Sequence, residues 1–251
     1  MVVTVKSRDE IAAMRRAGIV VAQVLEAVER ELRPGLATRA LDEIAAQTVA
    51  RLGATAAFKG LYGFPASICV STNDEVIHGI PSERVLDEGD IVSLDFGALI
   101  DTWYADAAVT LPVGRVTTEA QRLLDCGRAA LDRGIGRALA GGRVGDISDA
   151  IESYAVARTL GVVREYVGHG IGQRLHEAPP VPNFGAAGRG PLLRPGMTLA
   201  IEPMLALGSG QTQVHEDGWT VVTADGSLAA HFEHTVAIAM GSPEILTKPP
   251  S

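Results

Sequence analysis

The sequence predicts an α+β sandwich of two similar half-units, with helices outside and antiparallel sheets facing inward. Three observations predict it. The segments Val85–Asp95 and Leu192–Glu202 match: each has a turn glycine (Gly89, Gly196), an apolar strand, and an acid six residues after the glycine. The spacing between copies is constant, since Gly35 and Gly142 are 107 positions apart and so are Gly89 and Gly196. In each half, two helical patterns precede the strands.

The elements follow in order. Ser7-Arg-Asp-Glu10 is a capping-box signal. The apolar series Ile11, Met14, Ile19, Val20, Val24, Leu25 and Val28 then runs at helical spacing to Arg33-Pro34-Gly35. A second helix fits Thr38 to Leu52 and stops at Gly53. Strands are expected at 67–71, 90–100 and 104–111, the last two a hairpin around Asp101-Thr102. The pattern then restarts with a helix over 118–139, a break at Gly141-Gly142, and a helix from about 148 to 160. Strands follow at 162–165, 198–202, 220–223 and 228–239, with Asp225-Gly226 as the turn between the last two. His78-Gly-Ile-Pro81 and His176-Glu-Ala-Pro179 share one spacing, 98 positions apart. With no low-complexity linker, the expectation is one domain over 1–251, built of half-units of about 7–114 and 117–246.

Composition narrows the function. At 251 residues and 47% hydrophobic, the chain can bury an ample core. A net charge of −8 argues against nucleic acid as substrate and against an anionic membrane surface. The first ten residues hold no signal-peptide run, and no apolar stretch approaches a membrane span. Cys69 and Cys126 make no disulfide framework and suit a reducing cytoplasm, the expected location.

Four acids carry the chemistry. Asp95 and Glu202 end the matched strands, while Asp106 and Glu233 lie on the strands that follow. Ionised acids are not buried on apolar strands without compensation, because desolvating a charge is costly. No Lys or Arg occurs in 85–114 or 195–247, the two windows that hold all four. A bound metal pair would supply the missing positive charge. His169, between glycines in Val167-Gly-His169-Gly-Ile-Gly172, is the fifth ligand candidate. Four carboxylates and one imidazole form a hard set that suits Mn, Fe(II) or Co better than a structural zinc site. Five protein ligands serve two metals only if two carboxylates bridge, with a water or hydroxide between the ions. The reaction class is then hydrolysis of an amide, ester or phosphate. His215, His231 and His234 read as structural or surface residues.

At this point the chain resembles a known family. His78-Gly-Ile-Pro81, Ser93-Leu-Asp95-Phe, Ala105-Asp106, Gly168-His169-Gly-Ile-Gly172, Leu175-His176-Glu-Ala-Pro179, Gly196-Met-Thr, Ile201-Glu202-Pro203-Met204 and Phe232-Glu233-His234-Thr235 are similar to type I methionine aminopeptidases, from about Ile11 to Leu246. The resemblance implies the pita-bread fold and hydrolytic removal of N-terminal methionine before a small second residue. By match, Asp95 chelates one metal, His169 and Glu202 the other, and Asp106 and Glu233 bridge. Two divalent ions (Co, Mn, Fe(II) or similar) are the implied cofactors. Glu202 would also shuttle a proton between the bridging water and the leaving amine. His78 and His176 would contact the peptide and the developing tetrahedral intermediate. Phe64, Cys69, Leu175 and Trp219 would wall the methionine pocket, next to His78 and His176. Leu61 stands where bacterial relatives often carry an aromatic residue. The chain shows neither the zinc-binding N-terminal extension nor the inserted helical subdomain known in other forms, which implies the minimal bacterial type. The implied partners are peptide and nascent-chain N-termini, with transient ribosome contact, and a monomer is expected.

Two rivals stand beside this reading. One is an Xaa-Pro aminopeptidase of the same fold, which would generally carry a further N-terminal domain. The other is a non-catalytic pita-bread binding protein, which would have lost metal ligands. Metal content of the purified protein separates the second from the enzymes.

Overall fold

A computed structural model describes residues 3–248. Its first helix, α1 (Arg8–Glu31), begins at a complete capping box. The Ser7 hydroxyl accepts from the Glu10 N–H at 3.3 Å, and the Glu10 carboxylate accepts from the Ser7 N–H at 2.7 Å. Its buried stripe, Met14, Ala17, Val21, Val24 and Val28, returns every three to four residues, as an amphipathic helix requires. Helix α2 (Thr38–Arg51) packs on α1 and ends before Gly53, whose φ of 71° is left-handed.

The second pair repeats the arrangement. Helix α3 (Thr118–Gly136) is capped by the Thr117 hydroxyl, which accepts from the Ala120 N–H at 3.1 Å. It stops at Gly136 instead of reaching Leu139. Helix α4 (Val144–Val156) both starts and ends four residues earlier than the sequence pattern suggests. The Asp146 carboxylate accepts from the Arg143 N–H at 2.7 Å, so the helix starts ahead of the first strong apolar pattern. Thr159, with φ of 58°, turns the chain out of helix before Leu160.

The strands form four antiparallel sheets. In the first half, Ile91–Ile100 lies between Cys69–Thr72 and Trp103–Pro112, the latter through a hairpin at Asp101-Thr102. In the second half, Thr198–Ile201 lies between Gly168–Gly170 and His234–Ala237. The matched glycines play matched roles: Gly89 N–H donates to Val113 O and Gly196 N–H to Ile238 O, both at 2.9 Å. Isolated bridges also recur, Ala37 with Val85 and Arg143 with Leu192.

Three strand expectations are corrected. Of the segment 162–165 only Val162 is strand, in the two-residue strand Gly161–Val162. The single strand expected over 228–239 is two, Ala229–His231 and His234–Ala237, which pair in different sheets. The break falls where the Phe232 N–H turns to Pro203 O and the Glu233 N–H turns to Ala108 O. Asp225-Gly226 is a turn, with Gly226 at φ 72°, but the strands it connects also lie in different sheets.

Strand alternation divides the faces. Val92, Leu94, Phe96 and Ala98 bury against α1 and α2 in one core, together with Ala105 and Ala107. Leu199, Ile201, Leu205, Phe232 and Val236 bury against α3 and α4 in another. The opposite faces of these strands therefore meet each other.

One close approach ties the backbone at Leu246 to α1. A Cβ on Gly18 would stand 2.2 Å from the Leu246 carbonyl oxygen, whereas one on Gly136 would meet nothing within 4 Å. Gly18→Ala should therefore lower unfolding free energy by about 1–3 kcal/mol through overpacking. Gly136→Ala should be neutral or raise it by about 0.4–1 kcal/mol. Urea melts of the two variants check the contrast.

Candidate active site

Burial of Leu94 and Phe96 leaves Asp95 on the inward face, opposite Cys69 on one side and Ala108 on the other. Burial of Ala105 and Ala107 does the same for Asp106. Leu199 and Ile201 face α3 and α4, so Glu202 follows Ala200 into the cleft, and His169 is paired with Ala200. Glu233 enters from the break between its two strands. The five predicted donors thus come together from four strands and a strand junction. His169 Nε2 lies 3.5 Å from Asp106 Oδ2 and 3.6 Å from Glu202 Oε1. Donor atoms of Asp106, His169 and Glu233 fall within 4.8 Å of one another.

The electrostatics are those of uncompensated acids. Among the described residues, no Lys or Arg pairs with any of the four. Burial pushes Asp95 up to about 7 and Glu202 up to about 8, and raises Asp106 and Glu233 as well. Neighbouring carboxylates add to the rise at Asp95, Glu202 and Glu233. The Thr235 hydroxyl donates to Asp106 Oδ1 at 2.9 Å, while Asp95 Oδ1 is buried with no hydrogen-bond partner. An orphaned carboxylate oxygen within a cluster of oxygen donors fits a hard divalent cation. Cys69 does not compete as a thiolate, because burial and then Asp95 and Glu233 hold its thiol well above its usual pKa.

Around this centre stand two neutral histidines. Burial pulls His78 down to about 4, with His231 adding to the shift. Burial also pulls His176 down to about 4, aided by His169 and His78. The His176 ring sits edge-on to His169, centroids 4.5 Å apart, and His78 sits edge-on to Tyr166 at 5.9 Å. Phe64, Cys69 and Trp219 form an apolar wall, with the Phe64 and Trp219 rings edge-to-face at 5.2 Å. Leu175 belongs to an adjoining cluster with Met14, Ile171, Ala237 and Leu246. All eleven residues predicted for the site line one cavity of about 650 Å³.

Phe58, Tyr166 and His231 are among the cavity or centre residues that the sequence did not point to. Phe58 packs against both apolar clusters and joins Leu175 to the Phe64 wall. Tyr166 lines the cavity beside His78. His231, expected to be structural or at the surface, is fully buried with its Nε2 3.6 Å from Glu202 Oε2. The available signal was the strand period: in the single strand expected over 228–239, His231 precedes Glu233 by two residues and would share its face. His215 is exposed, and His234 turns away to pair with the Thr247 hydroxyl at 2.8 Å, as expected of structural or surface residues.

A duplicated α+β fold with buried acids and an imidazole facing a deep cleft defines a metallohydrolase. The profile of metallopeptidase family M24 matches residues 12–239, and the chain belongs to that family, with its pita-bread fold. It is 49% identical to a methionine aminopeptidase of Clostridium perfringens, covering 98% of both chains. It is also 49% identical to methionine aminopeptidase 1 of Mycobacterium tuberculosis, over 98% of this chain and 95% of that one. The methionine aminopeptidase of Thermotoga maritima superposes with a TM-score of 0.97 at 43% identity, covering 99% and 100% of the two chains. A prolidase of Pyrococcus furiosus, 19% identical with a TM-score of 0.77, shares the fold over 98% of this chain and 66% of its own.

The acid cluster sets a pH signature for chelator-treated protein. Asp95 and Glu202 have folded-state values of about 7 and about 8, above the unfolded value near 4. Their protonated forms thus favour folding below that unfolded value, and the contribution is lost as pH rises through the folded values. His78 and His176, at about 4 when folded, act oppositely, but only below the ordinary histidine value of about 6.5. Metal-free protein should therefore lose thermal stability between about pH 6.5 and 8, and Mn(II) should restore it. Thermal melts across that window, with and without the ion, check this.

Proposed function

We propose that the chain removes N-terminal methionine from peptides and nascent chains whose second residue is small, as a type I enzyme of the minimal form. The observation that carries this is one cavity joining a hard-donor cluster to an apolar wall of Phe64, Cys69 and Trp219. Asp95, Asp106, His169, Glu202 and Glu233 would hold two divalent ions, cobalt, manganese or iron(II), with Asp106 and Glu233 shared between them. Bound there, such ions supply Lewis acidity and the positive charge these acids lack.

The chain's own groups do the rest. Phe64, Cys69 and Trp219, with Leu175 and Phe58 on the same cavity, take up the methionine side chain and exclude water from it. His78 and His176 are neutral near pH 7, so each can donate an imidazole N–H toward charge developing on the scissile carbonyl. Glu202, on the same cavity as the two imidazoles, would carry a proton from the attacking water to the leaving amine. The whole is read as one catalytic domain of two half-units, about 7–114 and 117–246. The separate helix-backed cores and the matched glycine and bridge contacts support that division. The enzyme would act in the cytoplasm as a monomer, meeting the ribosome transiently as chains emerge. No helix of the described residues is long and apolar enough to cross a membrane.

Glu233→Ala should lower metal content and cut turnover together, because a shared ligand serves both ions. His176→Ala and His78→Ala should keep their metal and lose kcat and kcat/KM in parallel, by about 10²- to 10³-fold as for a removed oxyanion donor. Metal analysis beside steady-state kinetics separates the two patterns. Loss of metal in the His176 variant would place that residue among the ligands.

Substrate choice is the direct test. Met-Ala-Ser should be cleaved far better than Met-Lys-Ser, with leucine or norleucine at the first position tolerated weakly, since apolar fit discriminates by only about 1–3 kcal/mol per methylene. Equal kcat/KM for Met-Ala-Ser and Met-Lys-Ser would overturn the small-second-residue rule. Faster cleavage of Ala-Pro-Ser than of Met-Ala-Ser would favour an Xaa-Pro peptidase.

A further inference from the structure

A second buried charge cluster lies outside the acid centre. Lys6 and Glu177 form an ion pair at 2.8 Å, with each side chain only 4% exposed. Lys6 also donates to the Thr4 hydroxyl at 2.6 Å, and that hydroxyl donates to the same Glu177 oxygen. The other oxygen, Glu177 Oε1, accepts from the Arg174 N–H at 3.2 Å. The Lys6 N–H donates to Gly196 O at 2.8 Å, so the lysine is anchored at its backbone as well. Room for its stem is provided by Gly172, where a Cβ would stand 2.6 Å from Lys6 Cε. Taken alone, such a pair is a poor stability device, since desolvation offsets much of its attraction.

Its position in the chain is more telling. The segment Ile171–His176 leaves the strand that carries His169 and returns at Glu177, which pairs with Gly170. Leu175 and His176 stand on the returning end, directly before Glu177. Among the described residues, no hydrogen bond from the protein holds the His176 ring. Its place is set by its backbone and by the edge-on contact with His169. Lys6, Thr4 and the Arg174 N–H fix both oxygens of the next side chain along.

We propose that Lys6 is a positioning residue for His176, acting through Glu177: the N-terminal segment clamps the loop that presents the imidazole to the scissile carbonyl. Near-attack geometry is demanding, and a shift of about 1 Å can cost about 100-fold in rate. The inference rests on His176 acting in turnover, as proposed above.

The test uses the full-length, metal-loaded protein in four forms: parent, Lys6→Met/Glu177→Gln, His176→Ala, and the triple variant. Replacing both partners leaves no unpaired buried charge. Steady-state kinetics on Met-Ala-Ser, bound metal and thermal melts are read for each. The double variant should lose about 10- to 100-fold in kcat, with KM and metal content close to parental. In the His176→Ala background the same pair of changes should cost almost nothing further. Equal losses in both backgrounds, loss of metal, or parental kcat in a folded double variant would overturn the positioning role. Full turnover in His176→Ala itself would overturn the reading of the site, and this inference with it. Should the double variant fail to fold, Thr4→Val at the exposed edge carries the test. It removes both hydrogen bonds of the Thr4 hydroxyl, from Lys6 and to Glu177, and should cost about fivefold in kcat, again only when His176 is present.

Discussion

Four carboxylates turned inward from apolar strands, with no Lys or Arg beside them among the described residues, are the constraint on which the molecule is organised. Their burial costs free energy in the isolated chain and raises every one of their proton affinities. The helices and apolar strand faces offset that cost elsewhere, through two cores that each back one half of the cleft. The same burial suits the cluster to a divalent cation, because oxygen donors already stripped of water need not be desolvated again. Stability and function therefore pull on the same residues in opposite directions, and metal binding reconciles them.

Low dielectric has a second consequence at the rim. It strips the charge from His78 and His176, so under the proposed function these rings would meet substrate as neutral donors instead of competing cations. The apolar wall of Phe64, Cys69 and Trp219 extends the dry region and keeps the Cys69 thiol protonated. One physical condition, exclusion of water, thus sets the state of acids, imidazoles and thiol alike. The Lys6–Glu177 pair stands apart because it is neutral as a unit and lies beyond the acids, where it can hold the His176 loop without disturbing their field.

Much of this could be read in the chain. Period-2 alternation along Val92–Ala98 assigns Asp95 to the face opposite the helices. The Ser7–Glu10 capping box marks the start of α1 to the residue. The repeat of Gly35 with Gly142 and Gly89 with Gly196 foreshadowed the matched contacts of the two halves. Elsewhere local pattern failed where a single tertiary contact decided the outcome. Phe232 and Glu233 look like strand interior, but their amides are claimed by Pro203 and Ala108, which splits the strand. Asp146 begins α4 before its apolar pattern does.

What the sequence determined by itself was the candidate acids and imidazole, the strand faces and the polarity of each region, because these depend on residue type and on spacing within one element. What only the tertiary structure decided was which groups meet across elements. The burial of His231 against Glu202, the bridging of two apolar clusters by Phe58, and the reach of Lys6 to Glu177 all join segments far apart in the chain. Such contacts follow from how sheets twist and helices pack, and no local periodicity encodes them.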